Sequence, residues 1–229
     1  MKIEINGLVV ERLKEKDIEL VRQWRNSDII RKNMLYQKII TPKEQLAWFQ
    51  GINNFNNFYF ILEYKGRRVG LVNIKDINWD ERSGEAGIFM NERDLSALLI
   101  PVVGIVAINE LLSSVFGIKK LFAKVRKENK AMQRLNALFG YKKVTDIDTS
   151  DKEYNLYVTT PGGKTGYSHK WIKLISSMGF ETGNLKIIME PEDYETDFGI
   201  KMEQQINSCG ITFSIETVNG HNVYTRIKP

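Results

Sequence analysis

The feature that most restricts how this chain can fold is an apolar stretch with a strand candidate on either side. Leu98 to Ile108 is the most apolar run of the 229 residues, and Asn109 and Glu110 follow it. A run this short cannot cross a bilayer, so it reads as part of a buried helix over roughly Pro101 to Phe116. Glu85 to Met90 before it and Lys120 to Arg126 after it are composed like strands. A strand–helix–strand crossover near the centre argues for an α+β (mixed α/β) domain with a central mixed sheet flanked by helices.

The flanking segments extend that pattern. Leu8-Val9-Val10 reads as a first strand, and Asp17 to Asn26 as a helix with Ile18, Leu20, Val21 and Trp24 on one face. At Thr41-Pro42-Lys43-Glu44 a second helix starts: Thr41 can accept from a free amide, Pro42 needs no amide there, and Glu44 can close a capping box. Phe58 to Tyr64 and Val69 to Trp79 are β-rich runs joined by a hairpin signal at Lys65-Gly66-Arg67. Asn129 caps a helix with Met132, Leu135, Leu138 and Phe139 inward, and Gly140 ends it in the left-handed position. Tyr141 to Val144 and Tyr154 to Thr159 are further strand candidates.

The turn-rich Pro161-Gly162-Gly163-Lys164 divides the chain into a domain at 1–160 and a small C-terminal α/β extension at 161–229. Gly163-Lys164-Thr165 is not a phosphate loop, because the leading glycine that motif needs falls at Val158. The extension reads as a helix (Tyr167 to Met178), a strand (Leu185 to Met189), a helix (Asp197 to Ser208) and a hairpin (Ile211 to Ile227). Asn219-Gly220 is the hairpin's turn. So short a segment is expected to pack against the first domain.

Charge and cysteine content narrow the setting. A net charge of +5 suits a phosphorylated ligand without indicating a nucleic-acid binder. Cys209 is the single cysteine and Met1 to Ile5 lacks the apolar core of a signal peptide, so a cytoplasmic protein with no membrane partner is expected. His169 and His221 lie far apart, and no ligand spacing for a metal is present.

The segment Leu121 to Tyr141 goes further. It runs Leu121-Phe122-Ala123-Lys124-Val125-Arg126-Lys127-Glu128-Asn129, then Lys130-Ala131-Met132-Gln133-Arg134-Leu135, and ends Leu138-Phe139-Gly140-Tyr141. A strand, an asparagine-led helix and a terminal Gly-aromatic pair resemble the GNAT superfamily of N-acetyltransferases. Trp24-Arg25-Asn26, and Ile40-Thr41-Pro42-Lys43-Glu44-Gln45 leading to Trp48-Phe49, resemble the members that modify amino sugars of bacterial surface polysaccharides. Less closely, they resemble the Rim-type enzymes that acetylate protein N-termini. The stretch Glu85-Ala86-Gly87-Ile88-Phe89 fits both, and the resemblance covers residues 8 to about 160.

That resemblance implies acetyl-CoA as cosubstrate, a splayed strand whose amides grip its pantetheine arm, and no metal. It implies Glu85 as the base that neutralises the amine, directly or through a water, and a main-chain amide near Phe89 or Met90 as the oxyanion donor. Asn136 stands where many members carry a tyrosine proton donor; an amide can bond the departing thiolate, and Tyr141 is a substitute donor. Val125 and Asn129 lie along the cofactor, with Lys124, Arg126 and Arg134 near its 3′-phosphate. The pyrophosphate loop of the family is glycine-rich, whereas Asn91 to Pro101 contains no glycine; Arg93 and Ser96 remain as phosphate contacts. Trp24, Arg25, Asn26, Tyr36, Gln45 and Trp48 are the acceptor candidates, with Trp24 and Trp48 alternatively core anchors. The expected function is acetyl transfer to a primary amine on a small molecule, a nucleotide-linked amino sugar. The alternatives are a Rim-type N-terminal acetyltransferase and a silent GNAT-fold binding module. The extension can act as a lid, a homodimer contact or a carrier of specificity.

Overall fold

In the computed structural model, residues 1–5, 8–91, 99–145, 153–161 and 185–227 are described. Strands β1 (Lys2–Ile5) and β2 (Leu8–Arg12) lead into α1 (Ile18–Asn26), the short α2 (Asp28–Arg31) and α3 (Pro42–Ile52). An antiparallel set follows: β3 (Phe58–Tyr64), β4 (Arg67–Asn78) and β5 (Ser83–Met90). Helix α4 (Leu99–Glu110), extended by a π-turn at Leu111–Val115, crosses to β6 (Lys120–Arg126). Then come α5 (Lys130–Leu138), β7 (Lys142–Lys143), β8 (Tyr154–Thr159), β9 (Lys186–Met189), α6 (Phe198–Ser208), β10 (Phe213–Val218) and β11 (His221–Arg226).

Local chemistry accounts for the boundaries. Thr41 Oγ1 accepts from the Glu44 amide and the Glu44 carboxylate accepts from the Thr41 amide, so the capping box forms and α3 starts at Pro42. Asn129 Oδ1 accepts from the Met132 amide (3.0 Å), and Gly140 at φ 71° ends α5. Asn219 and Gly220, at φ 51° and 79°, make the two-residue turn between β10 and β11.

The described strands form one sheet in the order β10-β11-β9-β1-β2-β3-β4-β5-β6-β8-β7. Every pairing is antiparallel except β5–β6, the two strands joined by α4. The C-terminal segment therefore continues the same sheet: β9 pairs with β1 (Ile3↔Ile187) and β11 with β9. Strand β1 was not anticipated; its four residues find their partners only at Leu8–Arg12 and Lys186–Met189. The helix expected over Tyr167 to Met178 lies outside the described residues.

Two apolar layers cover the sheet. One face packs against α4 and α6 and includes Phe58, Phe60, Phe116, Phe139, Phe198 and Met202. The other packs Trp24 of α1 and Phe49 of α3 against Ile61, Leu71 and Phe89. Phe198 of α6 lies 5.3 Å from Phe58 and 5.8 Å from Phe55, centroid to centroid, so the extension supplies part of the main core. Among the described residues no helix is long and apolar enough to cross a membrane.

Candidate functional site

The parallel pair β5–β6 is short. Ser83, Gly84 and Glu85 pair with Lys120, Leu121 and Phe122, and beyond that point the strands separate although both continue. The edges they turn to each other follow from the alternation of antiparallel bonding. Asn91 N–H donates to the Val69 carbonyl, so the N–H groups of Phe89 and Gly87 also point to β4, while those of Met90 and Ile88 point toward β6. Likewise Lys127 N–H donates to the Glu153 carbonyl, which turns Val125 to β8 and the amides of Lys124 and Arg126 toward β5. Of the two amides expected as oxyanion donor, that of Met90 faces the gap and that of Phe89 faces β4, for this reason of register.

A cavity of about 750 Å³ opens at this splay and is lined from both faces of the sheet. On the α1–α3 side it is bounded by Arg25, Tyr36, Glu44, Gln45, Trp48, Tyr59, Asn73, Lys75, Glu85 and Phe89; on the α4–α5 side by Ile108, Leu112, Asn129, Met132, Asn136 and Tyr141. Met90, Lys124 and Val125 also border it. Of the residues expected at a site, Trp24, Asn26, Arg126 and Arg134 do not. Trp24 is buried in the core with its ring edge-on to Phe89. Asn26 spends its side-chain amide on Ile40, donating to that carbonyl (2.9 Å) and accepting from that amide (2.8 Å), which pins the chain ahead of α3. Arg126 pairs with Glu153 and Glu128 and donates to the Tyr154 hydroxyl, while Arg134 is exposed. Arg93 and Ser96 lie outside the described residues.

Glu85 sits between two ammonium groups, Lys75 Nζ at 3.2 Å from one oxygen and Lys124 Nζ at 3.3 Å from the other. Burial lowers the pKa of Lys75, but Glu85 and, after it, Asp76 together offset this and hold it above the ordinary lysine value. Lys124, expected at a cofactor phosphate, is thus a partner of Glu85. Lys75 and Asn73 were missed from sequence; the signal was present in the β4–β5 hairpin, whose register sets Lys75 opposite Glu85 and Asn73 opposite Gly87. The glycine at 87 makes room for Asn73: a Cβ there would meet Asn73 Oδ1 at 2.8 Å.

Three donors at the cavity have no hydrogen-bond partner. They are Arg25 Nε and Gln45 Nε2 on the α1–α3 side and Asn136 Nδ2 on the α4–α5 side. Gln45 is 3% exposed and Asn136 7%. Burial lowers the Arg25 pKa from its usual value, and Tyr59, itself raised by burial, is the group that opposes this. Buried donors left unpaired in the free protein suit a ligand rich in acceptors. Among the described residues no cluster of three or more His, Cys, Asp or Glu is arranged to hold a metal.

Comparison with known proteins gives the geometry a context. Residues 8–142 match the family described as Acetyltransferase (GNAT) domain. The uncharacterized protein MJ1062 of Methanocaldococcus jannaschii is 26% identical over 143 residues, which is 61% of this chain but only 29% of that protein's length. FdhC, a nucleotide-linked sugar GNAT solved without ligand, superposes with a TM-score of 0.59 at 20% identity, over 78% of this chain and 97% of its own. RimL, the ribosomal L7/L12 alpha-N-protein acetyltransferase in complex with coenzyme A, gives 0.59 at 12% identity, over 69% and 98%. At these identities the two structures speak for the fold.

Proposed function

Because the chain belongs to the GNAT acetyltransferase family, we propose that it transfers the acetyl group of acetyl-CoA to a primary amine on a nucleotide-linked amino sugar. The observation that carries this reading is the splay of β5 from β6, with the cavity bounded from both faces of the sheet. The residues on the α4–α5 side fit the cosubstrate: outward amides on both strands suit the amide groups of a pantetheine arm, and Asn136 Nδ2 is a buried donor with no other partner. When bound, acetyl-CoA supplies a thioester whose carbonyl carbon accepts the amine. The Met90 amide, with its N–H turned into the gap, polarises that carbonyl. Glu85, on the α1–α3 side, takes the proton from the incoming ammonium directly or through a water. Asn136 hydrogen-bonds the departing sulfur; Tyr141 stands beside it as the candidate proton donor.

The sugar reading rests on the α1–α3 side of the cavity. Tyr36, Trp48 and Tyr59 give it an aromatic lining suited to a ring, with Trp48 and Tyr59 packed edge-on to each other, and Arg25 and Lys75 bring cationic groups. A protein N-terminus would call for a long acidic groove instead.

The experiment is a thermal-shift titration with acetyl-CoA, followed by thiol release with a panel of amines. At a hundredfold excess over the dissociation constant, binding adds about 2.7 kcal/mol of stability. A saturable shift and thiol release with nucleotide-linked amino sugars are expected. No shift at millimolar acetyl-CoA would reduce the domain to a silent binding module.

A further inference from the structure

Among the described arginines, Arg12, Arg22, Arg31, Arg68, Arg126 and Arg226 each have a carboxylate within 4.0 Å. Arg82 donates to the Phe116 carbonyl (2.9 Å) and Arg134 is exposed. Arg25, although its Nε is buried, has none. A desolvated guanidinium without a counter-charge is costly to hold and persists where something else supplies the charge. Gln45 adds a second unpaired donor at the same side of the cavity, carried on α3 while Arg25 is carried on α1. These helices pack directly on each other, so the two donors are held by rigid elements.

We infer that the acceptor carries an oxyanion, a phosphate or a carboxylate, distinct from its amine, and that Arg25 and Gln45 receive it. This rests on the acetyl-transfer reading of the same cavity and specifies its substrate class: an anionic amine, with neutral sugars and polyamines rejected. A guanidinium and a carboxamide both donate to oxyanion lone pairs and satisfy them without proton transfer. Gln45 has a property that separates binding from structure. Its Nε2 has no partner in the free protein, so replacing the side chain with an apolar one of similar size removes an unsatisfied donor and need not weaken the fold.

The test compares KM across glucosamine, glucosamine 6-phosphate, a uridine-diphosphate-linked amino sugar, muramic acid and spermidine, by thiol release from acetyl-CoA. At least tenfold lower KM for the anionic amines is expected; the phosphorylated and carboxylated members separate the two sources of charge. Arg25→Gln should raise KM for anionic amines at least tenfold while leaving KM for acetyl-CoA unchanged. Gln45→Met should raise it severalfold with a melting temperature equal to or above that of the parent. Equal KM for glucosamine or spermidine and the anionic amines would overturn the inference, as would variants that leave the preference intact. If no amine releases thiol, the acetyl-transfer reading fails, and the subsite is judged by thermal shift with inorganic pyrophosphate and with glucuronate. A shift lost in Arg25→Gln upholds it; no shift at millimolar probe overturns it.

Discussion

Arg12 and Arg25 lie on the same protein, both poor in solvent, and live opposite lives. Arg12 belongs to the seam where β1 and β2 meet the C-terminal segment. It donates to Asp193 (3.2 Å) and Asn53 (2.6 Å), and its guanidinium lies 3.6 Å from the Phe198 ring centroid. Around it Lys14 and Lys2 reach Glu190 at 2.8 and 3.0 Å, and the Met1 amino group bonds Glu190 and Asp193. At the cavity, Arg25, Gln45 and Asn136 each keep a donor unpaired. A seam that only has to hold closes its polar accounts internally; a cavity that has to receive something leaves them open. Burial alone does not separate Arg12 from Arg25, whereas their partners do; an unpaired buried atom is not peculiar to the cavity, since Asp17 Oδ2 and His221 Nδ1 lack partners too.

This contrast can be broken in four ways, from the largest effect down. A chain ending after Thr160 loses β9 and β11 from the sheet, and Phe198 and Met202 from the core. It should show no cooperative thermal transition by circular dichroism, and a sharp melt would make the seam dispensable. Asp193→Ala leaves Arg12 buried without its carboxylate and should cost about 3–5 kcal/mol in urea unfolding; a loss under about 1 kcal/mol would mean that the seam is not held by charge. Glu85→Gln should lower kcat about a hundredfold, with affinity for acetyl-CoA and the melting temperature nearly unchanged. Unaltered turnover removes Glu85 from the chemistry.

The smallest effect is seen only in acid. Burial would raise the pKa of Glu190, but the hydrogen bond from Lys14, the Met1 ammonium and Lys2 together bring it down to about 2, from an ordinary 4.5. A carboxylate depressed by folding stabilises fully above its unfolded value, and that contribution fades as pH falls toward the folded one. The stability gap between the parent and Glu190→Gln should therefore shrink between about pH 4.5 and pH 2. A gap constant across that window would show that the ionised form is not what matters.

Much of the fold was legible because it is local. Phe58–Tyr64, Lys120–Arg126 and Tyr154–Thr159 are strands over the bounds that their composition predicts, and the Thr41–Glu44 box and the Asn219-Gly220 turn need only neighbours to form. What escaped depends on strand register and loop path rather than on composition. Lys75 enters the cavity because β4 sets it across from Glu85, and the outward amide is that of Met90 rather than Phe89 because of the alternation along the same hairpin. Asn26 reads as a contact by its place in Trp24-Arg25-Asn26, yet its amide is consumed by Ile40, a bond fixed by the path of the loop before α3. Which residues line the cavity could be read in good part from the pattern of Glu85, Asn129 and Gln45. Which of them lack a partner could not, since that depends on every neighbour.

The pairing of β1 with β9 also bears on how the protein is made. Lys2 sits opposite Ile188, so more than 180 residues separate the two, and these must leave the ribosome before the strand has its second neighbour. At 5–20 residues per second this is a wait of about 10–40 s. During that time the side of β1 turned away from β2 is an open edge that another nascent chain can join. Slower synthesis lengthens the exposure of that edge, and anything that shields it early shortens it.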